Sequence, residues 1–425
     1  MAISSAAPVV APRFEAAAGT VAIVAPYGGS AHPETFARQG WRTVAVELDA
    51  RRRPSALAPA RGAGACADSV QHCGSLRRTV KKLRGLGVSA VVAGSAAGIG
   101  LAERIGWHLG LPQGDPETSW LRYDRGEQAA ALVRAGLPAP RGIRSAHLAE
   151  VLAWAETCPL PGYVLAPAAA GIPVEPVACA GARQINTAWP AMKRAVAEHP
   201  GDAYLVLTER LSTRQFVVNS VSRPGADGQP EHVVTDVWAE TRSCDQSLDR
   251  TDLLHPHEPL TRALSAYMPR VLDALGVLRG PVTARVAHDE GRGPLLVSAL
   301  AVPGISLADE ALRRATGYDR VTGVLDTWLP PSSLQLGPGP AGHRVVRVHL
   351  HPSSGHAVDP CLGRILRRLP TVAAVSADLL GHAPVTDPAQ YAEVVLSSSE
   401  PEAVEADYRI IRALECEGGH GGERP

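Results

Sequence analysis

Lysine is nearly absent from this 425-residue sequence: Lys81, Lys82 and Lys193 are all there are. Phenylalanine and methionine number three each, while alanine, arginine, glycine and proline abound. A GC-rich coding sequence produces this bias, so an arginine where lysine is common is read as neutral. Net charge is lacking too: 42 basic residues balance 42 acidic ones and the pI is about 7.3. That leaves no global field to gather nucleic acid or an anionic membrane surface. The arginine runs at 51–53 and 364–368 are short and lack interleaved aromatics, so they read as solvated faces. The seven cysteines (Cys66, Cys73, Cys158, Cys179, Cys244, Cys361 and Cys416) are odd in number and form no Cys-x-x-Cys pair. Neither a disulfide framework nor a thiolate zinc site is indicated. No apolar run approaches the roughly 18 residues of a spanning helix, and no basic segment precedes an apolar one near the N-terminus. A cytoplasmic protein with no nucleic-acid or membrane partner is expected.

What is present describes an α/β chain. At 44.5 kDa it is too long for one core and divides into two to four subdomains. The run Val21–Ala25 predicts a strand, a helix follows at 33–39, and a second strand at 41–48. Another apolar run at 89–93 leads into a glycine-rich turn at 94–100 and a helix at 101–109. Apolar strands alternating with helices predict a parallel sheet. The turn at 94–100 matches a dinucleotide fingerprint only loosely and lacks its distal acid. Further on, helices are expected at 124–135, 260–275 and 402–415, with strands at 162–166, 203–208, 215–222, 232–238, 282–287 and 294–300. The last two flank a polar hairpin at 289–293, and a Gly/Pro-rich linker occupies 336–342. The expected units are an N-terminal α/β domain at 1–115, a small subdomain at 116–208, a large one at 209–335, and a C-terminal unit at 336–425.

Several short motifs occur in one order: Gly-Leu-Pro-Gln-Gly-Asp-Pro-Glu-Thr-Ser at 110–119, Leu-Arg-Tyr-Asp-Arg at 121–125, and Ala-Gly-Leu-Pro-Ala-Pro-Arg at 135–141. Thr-Glu-Arg-Leu at 208–211, Val-Thr-Asp-Val-Trp at 234–238 and Leu-Gly-Val-Leu-Arg-Gly-Pro at 275–281 follow. In these the chain resembles the ATP-grasp superfamily over nearly its whole length, and most of all carboxylate–amine ligases of the L-amino-acid ligase type. The resemblance implies an α/β ATP-grasp fold, with an N-terminal parallel α/β (pre-ATP-grasp) domain and a small C-terminal α/β unit. It also implies a reaction that joins a carboxylate to an amine through an acyl phosphate. Such chemistry needs cations at the phosphates and acidic ligands for two Mg²⁺.

Position by position, those groups are altered. The first family lysine corresponds to Arg125 and the second to Ala166, which codon bias does not explain. The phosphate-covering loop falls at 168–174; it keeps one glycine and contains Pro173, which has no N–H. The hinge acid survives as Glu209, while the acid expected shortly after it is Gln215. The two metal glutamates correspond to Arg285 and Ser298, the arginine beyond them to Val302, and an upstream acid to Ala96. A guanidinium in place of a carboxylate repels a neighbouring unit cation by roughly 4 kcal/mol at 4 Å and an effective dielectric near 20. Asp289, Glu290, Asp309 and Glu310 are the nearby acids that could be proposed as substitute ligands.

These replacements lead to the expectation of an ATP-grasp-fold protein that has lost ATP/Mg-dependent ligation. It is expected to bind an amino-acid- or peptide-like metabolite, and to convert it without ATP by cyclisation, elimination or isomerisation. No metal or cofactor is expected, with ATP and Mg²⁺ binding weakly or not at all. Glu209, Asp236 and Arg285 are the residues expected to line the cleft. Glu209 is read as a general base and Arg285 as a carboxylate or oxyanion grip; alternatively Glu209 and Arg285 pair and neutralise a vacated pocket. An active amino-acid ligase and a non-catalytic partner of another biosynthetic protein are the other readings, and a homodimer is a further possibility. His349 and His351 alternate on one strand near His343 and His356, but Pro352 ends that strand, so packed or solvated histidines are expected. His255 and His257 sit in a loop. Cys244 has no adjacent histidine, so a nucleophilic hydrolase is not supported.

Overall fold

The computed structural model describes residues 19–26, 32–48, 66–172, 174–199, 203–211, 214–243, 247–304, 306–328, 343–350, 360–376 and 392–418. The linker at 336–342, Pro173, Cys244, His351, Pro352 and His356 lie outside them.

The N-terminal domain alternates strand and helix: β1 (Gly19–Val24), α1 (His32–Arg38), β2 (Trp41–Leu48), β3 (Asp68–His72), α2 (Leu76–Gly85), β4 (Val88–Ala93) and α3 (Ile99–Leu109). The strands pair in parallel in the order β3-β2-β1-β4. Because both faces of a parallel sheet are covered, its central strands read as unbroken apolar runs. Ala22, Val24, Val44, Val46 and Val91 pack toward Leu83 of α2 and Ala102 and Ile105 of α3. Val21, Ile23, Ala90 and Val92 face the other way, toward Phe36 and Trp41. Gly110 closes α3 at φ 78°, a left-handed cap that glycine adopts without strain.

Helix α4 (Arg125–Arg134) leads into the small subdomain: β5 (Gly142–Ser145), α5 (Leu148–Thr157), β6 (Tyr163–Pro167), β7 (Val177–Cys179), α6 (Ala182–Ala197) and β8 (Leu205–Glu209). Its sheet, ordered β5-β8-β6-β7, is antiparallel. Val151 of α5 and Ile185, Trp189 and Met192 of α6 bury against Leu165, Leu205 and Leu207. Helix α4 bridges this unit and the next: Asp124 at its start pairs with Arg144 of β5. Its Ala131 and Leu132 join the core formed by Leu264, Met268 and Val271 with the large sheet.

The large subdomain contains β9 (Gln215–Pro224), β10 (Pro230–Arg242), β11 (Leu248–Leu253), α7 (Pro259–Ala274), β12 (Gly280–Asp289), β13 (Gly293–Leu300), α8 (Asp309–Thr316) and α9 (Arg320–Asp326). The C-terminal unit adds β14 (Arg344–Leu350), α10 (Pro360–Leu366), β15 (Val372–Val375), β16 (Ala392–Ser398) and α11 (Pro401–Gly418). Its strands form no separate sheet. They continue the large one in the order β13-β12-β9-β10-β11-β14-β16-β15, with antiparallel neighbours throughout. Arg250 and Arg344 both pair with Glu405 of α11, holding that helix to the sheet.

An apolar contact and a buried ion pair help to fix the N-terminal domain to the large subdomain. Val321, Val324 and Leu325 of α9 pack on Val21, Ile23 and Val92. Arg122, fully buried, donates to both oxygens of the equally buried Glu103 on α3, to the Leu275 carbonyl at 2.8 Å and to the Asp115 carbonyl at 2.6 Å. Burial pushes the Glu103 carboxyl up, and the Arg122 guanidinium opposes that rise. Among the described residues no helix is long and apolar enough to cross a membrane.

Candidate functional site

The two faces of the large sheet differ in character. Along β12, Val282, Ala284 and Val286 are buried with Phe216 and Val218 against α7. Thr283 and Arg285, the alternate residues, point to the opposite face. There β13 places Ser298 directly across from Arg285, and β10 contributes Asp236, Trp238 and Glu240. The side chain of Arg285 is 45% exposed, and its closest approach to a carboxylate is from Nε to Glu240 Oε1 at 3.3 Å. Glu240 is buried and shared: its other oxygen meets Arg242 Nη2 at 3.3 Å.

Helix α4 packs through Ala131 and Leu132 on the α7-covered face and is tied to the edge strand β13. Gln128 is buried and bonds Ala299 twice, donating to its carbonyl at 2.7 Å and accepting from its amide at 3.0 Å. This anchors α4 beside Ser298. One turn earlier, Arg125 directs its guanidinium into the 167–172 loop, donating to the carbonyls of Pro167 at 2.6 Å, Ala169 at 3.4 Å and Ala170 at 3.5 Å. Burial pushes the Arg125 guanidinium down to about 10, and the neighbouring charge of Arg285 adds to that fall.

The loop itself is occupied with backbone. The amides of Ala168, Ala170 and Ile172 donate to the carbonyls of Tyr204, Tyr123 and Ala169, and the Arg125 amide returns a bond to the Ala168 carbonyl. At Gly171 the loop meets the N-terminal domain so closely that an added Cβ would lie 1.8 Å from Ala96 Cβ. Ala166, at the second family-lysine position, is buried with Ala168 and Val206. No cation stands there.

Glu209 ends β8 and is almost fully buried. One of its oxygens accepts from the Arg141 amide at 2.9 Å and from Arg292 Nη1 at 2.6 Å; the other meets Arg141 Nη2 at 3.1 Å. Burial alone would raise this carboxyl, but the Arg292 and Arg141 bonds together hold it below the usual carboxylate range. Arg292 sits at the tip of the β12–β13 hairpin, so the contact joins the small subdomain to the large one. Glu209 and Arg285 do not pair with each other: Glu209 is held by Arg141 and Arg292, and Arg285 reaches Glu240.

Asp236 does not line the cleft. Its fully buried carboxylate accepts from Asn219 Nδ2 at 2.6 Å, Trp238 Nε1 at 2.6 Å, Thr235 Oγ1 at 2.8 Å and the buried Arg320 Nη2 at 2.8 Å. Arg320 also bridges to Asp309 at 2.7 Å. Desolvation raises Asp309 to about 6, against the pull of Arg320. The β10 alternation does put Asp236 on the same face as Glu240, but the α8–α9 segment covers that end of the sheet.

Three of the four acids available as substitute metal ligands have other partners. Asp289 accepts from the amides of Gly291 and Arg292 in the hairpin turn, Asp309 serves Arg320, and Glu310 pairs with Arg313 and Arg314. Among the described residues no three His, Cys, Asp or Glu side chains group as metal ligands. His349 is buried on β14, and His343 Nε2 lies 2.8 Å from Ser397 Oγ. The rings of His255 and His257 lie 5.2 Å apart in their loop, tilted by 54°. Glu240, Arg141 and Arg292 are the site residues that motif reading missed. Glu240 falls on the alternation Asp236, Trp238, Glu240, a signal the sequence does carry. Arg292 sits in a turn with nothing local to mark it.

No protein-family model and no curated protein sequence matches the chain. Solved structures do match in fold. An L-amino acid ligase from Bacillus licheniformis superposes with a TM-score of 0.71 at 15% identity, covering 93% of this chain and 97% of that one. A carboxyaminoimidazole ribonucleotide synthase from Aspergillus clavatus, complexed with ATP, gives 0.72 at 11% identity, covering 94% and 98%. The biotin carboxylase domain of a 2-oxoglutarate carboxylase from Hydrogenobacter thermophilus gives 0.65 at 14%, covering 93% and 89%. These are ATP-grasp proteins, and the chain has the ATP-grasp fold.

Proposed function

We propose that this ATP-grasp-fold protein does not carry out ATP/Mg²⁺-dependent ligation. In its place it binds an amino-acid- or peptide-like metabolite in the same cleft, and converts it by a step that needs no nucleotide, such as cyclisation, elimination or isomerisation. The observation that carries this reading is the guanidinium of Arg285, with Ser298 across from it, on the strand pair that corresponds to the family's metal carboxylates. Mg²⁺ and the ATP it accompanies do not fit these residues: a hard dication needs anionic oxygens, and the nearest carboxylate, Glu240, is held between two arginines. The 167–172 loop supports the same reading, since the amides of Ala168, Ala170 and Ile172 already have backbone acceptors and cannot also cradle phosphate.

Within this reading Arg285 grips the ligand. Glu209 is too well paired to serve as a base and holds the subdomains together, while Asp236 shapes the sheet face from beneath. The metabolite class is taken from the fold likeness to an L-amino acid ligase and is an analogy. Incubating the protein with ATP, Mg²⁺ and a panel of amino acids tests it. No ADP or AMP release above the protein-free control is expected; release that depends on an amino acid and is lost in Arg285→Ala would establish a ligase with remodelled contacts.

A further inference from the structure

Helix α8 is lightly seated on the large sheet. Its buried face is Ala311, Leu312 and Ala315, packed with Ala308 against Trp238, Val345 and Val395. Helix α7, on the opposite face, buries Leu264, Tyr267, Met268, Val271 and Leu272. Alanine removes little apolar surface from water, so the seat of α8 leans on its polar contacts. Those contacts meet at the buried Arg320, which pairs with Asp236 at 2.8 Å and Asp309 at 2.7 Å and donates to the Gly304 carbonyl. Two carboxylates thus share one guanidinium, and the cluster holds an excess negative charge when both are ionised. Asp236 is well supplied, since Asn219, Thr235 and Trp238 also donate to it. Asp309 is not. Its Oδ1 takes every bond, from Arg320 and from the Ser306 amide and hydroxyl. Its Oδ2 is buried with no hydrogen-bond partner among the described residues.

A buried carboxylate oxygen without a donor costs least when the group is protonated. Burial, joined by Asp236, outweighs Arg320 and the place of Asp309 in the first turn of α8, and the carboxyl rises to about 6. The other charged groups around the segment are engaged elsewhere. Glu310 pairs with Arg313 and Arg314, Asp319 accepts from the Thr322 amide and from Gln39, and Arg347, over the Trp238 ring, pairs with Glu393. Asp319 and Asp326 act on the buried Tyr318 hydroxyl, which burial pushes up, so that it stays neutral. No histidine lies in 306–328. We propose that α8 is a proton-dependent cover on the large sheet, seated while Asp309 is protonated and loosened when Asp309 ionises. Release of α8 uncovers Trp238, which shares its face with Glu240 two residues on, so that end of the sheet becomes accessible as pH rises. An exposed aspartate titrates near roughly 3.9, so the opened form ionises more readily than the seated one, and opening grows as pH rises toward and through 6. The inference goes beyond the reading of lost ligation and does not depend on it.

Hydrogen exchange of the full chain, read by mass spectrometry at pH 5 and pH 7.5 with the intrinsic pH dependence of exchange removed, tests the proposal. Protection of α8 is expected to fall about tenfold from the lower pH to the higher, and at pH 7.5 to lie below that of α7. Asp309→Asn is neutral at both values and is expected to keep at pH 7.5 the α8 protection that the parent has at pH 5. Glu310→Gln, one residue on and exposed, is expected to retain the tenfold change. Protection of α8 that does not change with pH in the parent overturns the inference, as does a pH response that survives Asp309→Asn. Equal protection of α8 and α7 at pH 7.5 also overturns it, since α8 then opens only with the whole molecule. Should Asp309→Asn not fold, the parent's fall in α8 protection and its gap from α7 decide alone.

Discussion

Glu209 and Asp309 are two buried carboxyls whose surroundings act in opposite directions, and both effects can be measured. For Glu209, the folded-state value lies below the unfolded value of roughly 4.3 because Arg292 and Arg141 outweigh burial. Its contribution to stability is therefore complete above about pH 4.3 and is lost as pH falls through the folded value. Glu209→Gln should cost about 1–3 kcal/mol near neutrality, and thermal melts at a series of pH values should show that gap closing in acid. Asp309 carries the reverse sign. Its folded value of about 6 exceeds the unfolded value of roughly 3.9, so it favours folding increasingly as pH drops through 6 and loses that contribution as pH rises. The stability difference between Asp309→Asn and the parent should therefore change by ~3 kcal/mol between pH 4 and pH 7; a flat difference would show that burial does not perturb this carboxyl. Both pairings lay beyond sequence reading. Glu209 could be picked out as the hinge acid, but Arg292 reaches it across 83 residues of chain, and Asp236 is masked by helices that follow it far along the chain.

Among the larger elements, the loop at 167–172 is held by backbone bonds of Ala168, Ala170 and Ile172 and by its close approach to Ala96. Gly171 has no room for a side chain beside Ala96, so Gly171→Val should lift the loop from the N-terminal domain. An increase in proteolytic cleavage within the loop and a loss of about 1–3 kcal/mol are expected; unchanged cleavage would mean the loop is not seated there. The buried Arg122–Glu103 pair gives a second test, at the domain junction. Arg122→Met leaves Glu103 buried without its partner and should cost about 3–5 kcal/mol in a urea melt, much of it recovered when Glu103→Leu is added.

Most strands and helices were legible where the pattern was strong. The apolar run at 41–48 is β2 residue for residue, and the expected helix at 260–275 is α7 within one residue at each end. Elements that went unread are weakly patterned. Strand β3 is Asp-Ser-Val-Gln-His, β5 has four residues, and α2 buries little beyond Val80 and Leu83 among five basic residues. Helix α4 was found from its own sequence, but its packing on the large sheet depends on Gln128, Ala131 and Leu132, whose partners lie far along the chain.

Taken together, the eight-stranded sheet running from β13 to β15 joins the large and C-terminal units into one body, while Glu209–Arg292 and Arg122–Glu103 bind the small subdomain and the N-terminal domain to it. On the proposed reading, Arg125 and Arg285 stand on this frame where the resemblance places the family's phosphate and metal groups. Short motifs in a fixed order revealed the frame, because a fold needs only approximate patterns repeated over many residues. The chemistry depends on a handful of positions, and there the sequence showed which groups had changed without showing their new partners. Calorimetric titration of ATP with Mg²⁺ into the full-length protein tests the central claim most directly. No saturable binding in the micromolar range is expected, with or without amino acids present; micromolar binding that disappears on adding EDTA would contradict it.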